Sequence, residues 1–171
     1  AGEGGFIVTN NKKLRDKLLM IRNHGMLKGY DTRLLGLNLR LPEINAAIAT
    51  IQMKKLPKFL KTRQKNAKLL SKLLSKSNLD LPLERKNENV NWYLYTVTTP
   101  KRNMLLKKLN AKGIGAASYY PIPVHKTPFY KSKIKLPITD WAASNVLSLP
   151  IHPKVTTKNI EFIAKTISEI F

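Results

Sequence analysis

The pattern of hydrophobic and polar positions divides the first quarter of the chain into a strand, a helix and a long loop. Residues 4–9 form an apolar run behind two glycines, which predicts a short buried β-strand. Leucine and isoleucine then recur at helical spacing over 12–23. Residues 24–41 hold three glycines and no sustained periodicity, which is typical of a functional loop. Because one strand cannot satisfy its own backbone, 4–9 is expected either to pair with the rest of the chain or to belong to a sheet whose other strands precede it.

A helical connector follows this loop. Pro42 suits the first turn of a helix, and apolar residues at 44, 47, 48 and 51 share one face of it. Pro57 is expected to kink the helix or make it restart. Apolar positions then recur at helical spacing over 59–74, with lysines on the opposite side. The pattern predicts a long connector in two parts over 42–76.

The remaining residues alternate between strand and helix, which describes a compact α+β domain over 77–171. Gly113 is expected to cap the end of the first helix, and a loop over 121–130 carries three prolines and cannot form a regular element. Strands are expected over 90–99, 116–120 and 146–149, and helices over 101–112, from 140 onward, and over 157–171.

The amino-acid composition excludes several classes of protein. The chain has no cysteine, which excludes a disulfide framework, a thiolate zinc site and a catalytic cysteine. No window reaches 18 apolar residues, so no transmembrane helix and no membrane partner are expected. The first residues lack the charged and apolar regions of a signal peptide. We therefore expect a cytoplasmic protein.

The formal charge of +21 raises nucleic acid as a partner. Of the 31 basic residues, however, 24 are lysine and 7 arginine, and they are spread along the whole chain. Recognition of bases and phosphates favours the planar fork of arginine. No nucleic-acid partner is therefore expected, and a basic nucleic-acid-binding module is kept only as an alternative function.

Four phrases of the sequence resemble one family, the DegT/DnrJ/EryC1/StrS sugar aminotransferases, in the right order. The first is similar to the stretch just after that family's cofactor lysine, and the second to its entry into the connector helix. The phrases are GEGGFIVTN at 2–10 with LLMIRNHG at 18–25, GLNLRLPEINAA at 36–47, YYPIPVH at 119–125 and LSLPIHP at 147–153.

This resemblance implies an α/β fold, the C-terminal part of the pyridoxal-phosphate transferase type I fold, which is also the aspartate aminotransferase fold. It would contain the end of the large cofactor domain with an interface loop (1–41), a long kinked connector helix (42–76) and a small α+β domain (77–171). In that small domain a small mixed sheet would be covered by helices.

The implied activity is transfer of an amino group from glutamate or glutamine to a nucleotide-linked ketosugar, with pyridoxal phosphate as cofactor. The family's Schiff-base lysine precedes the segment that matches 1–5. No catalytic residue is therefore expected in this chain, which would act as a homodimer or with an N-terminal half as partner. A non-catalytic partner subunit or remnant is the alternative. No metal is expected.

The resemblance also implies five site residues. Asn38 matches a donor to the cofactor phosphate across the dimer interface, and Arg40 a residue near the phosphate or substrate. His24, Tyr120 and His125 match positions that face the sugar. The structural alternatives are a turn residue for Asn38, a surface or ion-pair residue for Arg40 and a helix cap for His24. For Tyr120 the alternative is core packing, and for His125 an exposed side chain. His152 is expected to be structural.

Overall fold

The computed structural model describes residues 2–171. The chain divides into two compact units, Ala1–Leu56 and Pro57–Phe171. The helices are α1 (Lys12–Arg22), α2 (Glu43–Leu74), α3 (Arg102–Ala111), α4 (Pro137–Asn145) and α5 (Thr157–Ile170), with one 3-10 turn at Val124–Lys126. The strands are β1 (Tyr95–Thr98) and β2 (Val146–Leu149).

In the first unit the predicted helix is confirmed and the predicted strand is wrong. α1 begins after Asn11, whose side chain accepts a hydrogen bond from the N–H of Leu14 at 3.1 Å. Residues 4–9 belong to no helix or strand and pair with nothing, and Phe6, Ile7 and Val8 are 69–86% exposed. The described part of this unit contains no strand, so nothing in it can complete their ladder.

The connector is one continuous helix in the structure. Pro42 directly precedes α2, and Pro57 lies inside it rather than starting a second helix. A proline in a helix removes only its own hydrogen bond, here the one to the carbonyl of Met53, so the flanking turns can continue. The restart is therefore wrong, and the kink stays a prediction.

The second unit has a smaller and simpler sheet than the sequence predicts. β1 and β2 pair antiparallel, with Tyr95 opposite Leu149, so the expected mixed sheet is a two-stranded antiparallel one. The strand expected over 90–99 shortens to β1, and β2 matches its prediction. The strand expected over 116–120 reduces to one bridge, between Ala117 and Ser148.

The helices of the second unit largely follow the predictions. α3 ends before Gly113, which has a φ of 76° as the expected C-cap requires. α4 begins three residues earlier than expected, because Pro137 occupies its first turn and Asp140 is inside the helix rather than its cap. α5 begins with a reciprocal capping box between Thr156 and Asn159.

The core of the second unit lies among α2, the sheet, α3 and α5. Tyr95 and Leu70 are fully buried there, and Asn66, also buried, donates to the backbone oxygens of Ile151 and Val155. These amide bonds tie α2 to the segment after β2 and satisfy a polar group that would otherwise be costly to bury.

Candidate functional site

The loop after α1 is held tightly by two glycines. A Cβ on Gly25 would lie 1.7 Å from the carbonyl oxygen of Leu34, and one on Gly36 would lie 2.1 Å from the nitrogen of Gly25. Only glycine allows the backbone to cross itself this closely. The N–H of Leu39 then donates to the carbonyl of Arg22 at 2.9 Å, which fixes the far end of the loop against the end of α1.

The backbone of His24 lies at this crossing and takes part in closing the end of α1. It has a φ of 56°, and the N–H of the next residue, Gly25, donates to Met20 at 2.8 Å, which closes the helix in the manner of a left-handed cap. The N–H of His24 itself donates to Leu37 at 3.0 Å. The backbone at His24, and not its side chain as the structural alternative had it, therefore closes the helix, while the His24 side chain is exposed.

Asn38 and Arg40 form a pair of hydrogen-bond donors beside His24. Nε of Arg40 donates to Oδ1 of Asn38 at 2.8 Å, and both side chains are exposed. This bond occupies one of the two lone pairs of the amide oxygen, while the NH₂ group of Asn38 and the terminal nitrogens of the guanidinium remain as donors. Neither residue forms an ion pair in the described chain. A pair with several free donors and a positive charge suits an oxyanion, and in particular the phosphate of a cofactor.

In the second unit, Tyr120 and His125 lie on the proline-rich loop in different environments. Tyr120 is 74% exposed and contacts the ring of Tyr119 edge to face, so core packing is excluded as its role. The imidazole of His125 is only 11% exposed, and its Nε2 faces Oδ1 of Asp140 at 3.6 Å. The structural alternative for His125, an exposed side chain, is therefore wrong.

A small pocket of about 220 Å³ lies within the second unit, and it contains residues that sequence reasoning assigned no function. Arg63 anchors one wall, because its Nη1 donates to the carbonyls of Trp92 and Tyr93 at 3.0 and 2.9 Å. Arg63 also lies 5.9 Å from the ring centroid of Tyr93. The one available signal is that Arg63 interrupts the apolar stripe of α2. The other polar side chains of the pocket are Tyr119, Ser148 and His152.

Comparison with known proteins identifies the family. Residues 1–168 match the DegT/DnrJ/EryC1/StrS aminotransferase family. The chain belongs to this family. The predicted resemblance is therefore confirmed.

Among curated family members, a "pleiotropic regulatory protein" of Geobacillus stearothermophilus is 33% identical over 99% of this chain and 48% of its own length. The dTDP-3-amino-3,4,6-trideoxy-α-D-glucose transaminase of Streptomyces venezuelae is 36% identical over 89% of this chain and 41% of its own length. The chain thus spans about half the length of the relatives it matches.

Solved structures confirm the predicted fold class. DesV of S. venezuelae superposes with a TM-score of 0.88 and 31% identity, covering 95% of this chain and 45% of DesV. NtdA of Bacillus subtilis, solved with bound cofactor PMP, superposes with a TM-score of 0.79 and 26% identity, covering 95% of this chain and 40% of NtdA. The chain therefore has part of an aminotransferase fold.

Residues 2–171 contain neither a helix that could cross a membrane nor a cluster of metal ligands. No helix there combines the length and the apolar character that a membrane crossing requires. Histidine, aspartate and glutamate side chains in the same range nowhere gather in groups of three that could hold a metal ion.

Proposed function

We propose that this chain is the C-terminal part of a pyridoxal-phosphate-dependent aminotransferase that transfers an amino group from glutamate or glutamine to a nucleotide-linked ketosugar. The observation that carries the proposal is the hydrogen-bonded pair of Asn38 and Arg40, whose remaining N–H groups are free to donate, in a chain that belongs to an aminotransferase family. The names of its relatives support the substrate class, since one acts on a dTDP-linked sugar and another on a UDP-linked sugar.

Asn38 and Arg40 would hold the cofactor phosphate. The bond between their side chains orients the Asn38 amide so that its NH₂ group is free to donate, and Arg40 adds a positive charge. Charge-assisted hydrogen bonds of this kind are about twice as strong as neutral ones. The bound cofactor supplies the electron sink for amino transfer. The residues of this chain contribute binding and orientation.

Contacts to the substrate would come from His24 in the first unit and from Tyr120 and His125 in the second, each considered within its own unit. The exposed ring of Tyr120 offers an aromatic face to a sugar or base, and the exposed imidazole of His24 can donate or accept a hydrogen bond. No lysine of this chain matches the family's Schiff-base lysine, so a covalent attachment point must come from a preceding segment or a partner chain. Residues 1–41, 42–76 and 77–171 would then be the end of the large domain with its interface loop, the connector and the small domain.

A completed enzyme tests this function. The chain is joined to an N-terminal half from the same genome or a close relative, and amino transfer from glutamate or glutamine to dTDP- and UDP-linked ketosugars is measured. We expect turnover, and we expect that borohydride fixes no cofactor on the chain alone. Arg40→Gln should weaken cofactor retention, whereas Arg33→Gln, which changes an exposed arginine paired with Asp31, should not.

Three results would contradict the proposal. A completed enzyme that retains cofactor but transfers no amino group would indicate a non-catalytic partner subunit. A borohydride-fixed adduct on one lysine of the isolated chain, together with turnover, would show that no second segment is needed. Steeply salt-dependent binding to duplex DNA with sequence discrimination would favour a nucleic-acid-binding module.

A further inference from the structure

A cluster of three ionisable side chains lies in the second unit, and none of its members lines the pocket. It consists of His125 and Lys126, on the 3-10 turn, and Asp140, in the first turn of α4. Oδ1 of Asp140 lies 3.6 Å from Nε2 of His125 and 2.8 Å from Nζ of Lys126. These three residues are the ionisable groups that face one another here. Both Nε2 and Oδ1 are buried; Nε2 makes no hydrogen bond, and the close polar neighbour of Oδ1 is the ammonium group of Lys126.

The backbone around the cluster determines where these side chains lie. The N–H of Lys126 donates to Pro123 at 2.9 Å, which forms the 3-10 turn, and the N–H of Ser132 donates to the carbonyl of His125 at 2.9 Å. Pro137 begins α4 three residues before Asp140, so the carboxylate projects from the first turn of that helix. Two elements of fixed backbone therefore bring the imidazole and the carboxylate face to face.

A hydrogen bond between the two groups requires that the hydrogen lies on Nε2 of His125. An ionised carboxylate only accepts hydrogen bonds, so a bond from His125 requires hydrogen on Nε2. The gap of 3.6 Å exceeds hydrogen-bond length by roughly half an ångström, which a small side-chain rotation closes. Lys126 also lies against this carboxylate, with Nζ 2.8 Å from Oδ1. In the tautomer of a neutral imidazole that has hydrogen on Nε2, the acceptor is Nδ1.

Nδ1 is also the nitrogen that remains available to a ligand. It makes no hydrogen bond within the described chain, and unlike Nε2 it is not one of the buried polar atoms without a partner. Only 11% of the side chain as a whole is exposed, so the access of a ligand to the ring is limited.

We propose that Asp140 is a positioning residue, which holds His125 through Nε2 so that Nδ1 accepts a hydrogen bond from a hydroxyl group of the bound sugar. This inference rests on the proposed function. Asp140 itself touches neither cofactor nor sugar. A purely structural role is the competing explanation, because an acidic residue in the first turn of a helix stabilises it through the helix dipole.

The first test needs no ligand. In the full 171-residue chain with ¹⁵N-labelled histidine, the Nε2–H proton of His125 should give an NMR signal protected from solvent exchange, assigned by its loss in His125→Gln. Asp140→Ala should speed that exchange about ten-fold or more, as expected for losing a hydrogen bond to a charged group. Asp140→Glu should restore part of the protection. Asp16→Ala, which removes an exposed acid in α1, should leave it unchanged.

The same variants separate positioning from helix stability. If Asp140→Ala lowers the melting temperature but the Nε2–H exchange rate stays the same, the role is structural and the proposal is wrong. If the unsubstituted chain shows no protected Nε2–H, the proposal is also wrong. Lys126→Met should keep the protected proton, because the Nε2 contact to Asp140 does not require the lysine.

The second test uses the completed enzyme. Asp140→Ala should raise the KM for the nucleotide sugar about three- to ten-fold, the effect of one neutral hydrogen bond, with kcat nearly unchanged. The KM for the amino donor should not change. An unchanged KM for the nucleotide sugar would overturn the contact with the sugar. Absence of amino transfer in the unsubstituted enzyme would instead refute the proposed function, and the NMR test of Asp140 would be unaffected.

Discussion

At the scale of single residues, Arg63 shows how one side chain can stabilise a loop that has no regular structure. Its Nη1 donates to two consecutive carbonyls, those of Trp92 and Tyr93, directly before β1. Trp92 has a φ of 51°, a backbone conformation that costs free energy for a bulky residue. The charged donor therefore offsets local strain as well as satisfying two acceptors.

Arg63→Ala is predicted to lower the free energy of unfolding by about 2–3 kcal/mol, since hydrogen bonds from a charged group contribute about 1.5–3 kcal/mol. Urea unfolding followed by the fluorescence of Trp92 and Trp141 measures the change. Arg63→Lys should recover less than half, because an ammonium group lacks the planar fork. Arg85→Ala removes an arginine whose side chain is 83% exposed and should stay within about 0.5 kcal/mol. An equal loss in both variants would contradict this role.

Because of Tyr95, the free energy of unfolding is expected to fall as the pH rises into the alkaline range. Burial raises the pKa of Tyr95 above the usual 10.0, and the hydrogen bond with Ser71 opposes this in part. The folded state therefore keeps the proton at pH values where the unfolded state loses it. The contribution is fully present below pH 10.0 and is lost as the pH rises toward the raised pKa of the folded protein.

Tyr95→Phe is therefore predicted to flatten the fall of stability above pH 10.0, at the expense of about 0.5–1.5 kcal/mol at neutral pH for the lost Ser71 bond. Urea unfolding at several alkaline pH values measures both effects. Tyr30→Phe is the matched control, because Tyr30 is 98% exposed. If the two variants show the same slope above pH 10, Tyr95 is not the group responsible.

At the scale of elements, α5 depends on its first turn. Thr156 and Asn159 cap each other's backbone there, and the helix buries Ile160, Ile163 and Ile167 against the core. Thr156→Ala is predicted to lower the free energy of unfolding by about 1 kcal/mol, while Thr156→Ser should be nearly neutral. Thermal unfolding checks this. A loss as large in the serine variant would mean that the methyl group, not the hydroxyl, is what matters.

The helices could be predicted from the sequence because each carries its own periodic signal. α1, α3 and α5 begin and end within a residue or two of their predicted bounds, since an apolar face at helical spacing fixes where they lie. Whether residues 116–120 form a strand could not be predicted from such a local pattern. Their pairing depends on a distant partner, Ser148, and only Ala117 reaches it.

The candidate site was predictable only in part. The family phrases pointed to Asn38 and Arg40, but not to the bond between them, which orients the Asn38 amide. His125 was also named, but its partner Asp140 is 15 positions away, across a proline-rich loop without periodicity. Contacts of this kind arise from tertiary structure, and no local pattern encodes them.

At the scale of the whole molecule, exposed apolar residues predict self-association. Ile44, Ile48 and Ile51 share the apolar face of α2 and are 43–71% exposed, and Phe6 and Ile7 are similarly exposed. Exposed apolar side chains in this number are typical of an interface. We expect a dimer or a higher oligomer in sedimentation velocity at micromolar concentration. Ile48→Lys should shift the distribution toward monomer, and Lys158→Glu should not. A well-folded monomer in the unsubstituted chain would refute the prediction.

The last prediction is that Asn38 acts across the dimer interface, on the cofactor bound mainly by the other subunit. The amide that remains free to donate would bond a phosphate oxygen there, and losing a bond to a charged acceptor costs about 1.5–3 kcal/mol. In the completed enzyme, Asn38→Ala should therefore bind the cofactor roughly ten- to hundred-fold more weakly while the dimer stays intact. Cofactor titration and sedimentation measure these two quantities.

Complementation decides whether the bond is made in trans. Asn38→Ala subunits are mixed with subunits that lack the Schiff-base lysine, and amino transfer is measured. In a mixed dimer, one site then combines an intact lysine from the first subunit with an intact Asn38 from the second. We therefore expect one active site per mixed dimer, from two inactive or weakened parents. No recovery on mixing would place Asn38 in its own subunit's site. Normal cofactor retention in Asn38→Ala would reduce it to a turn residue, whose bond to Arg40 only shapes the loop after α1.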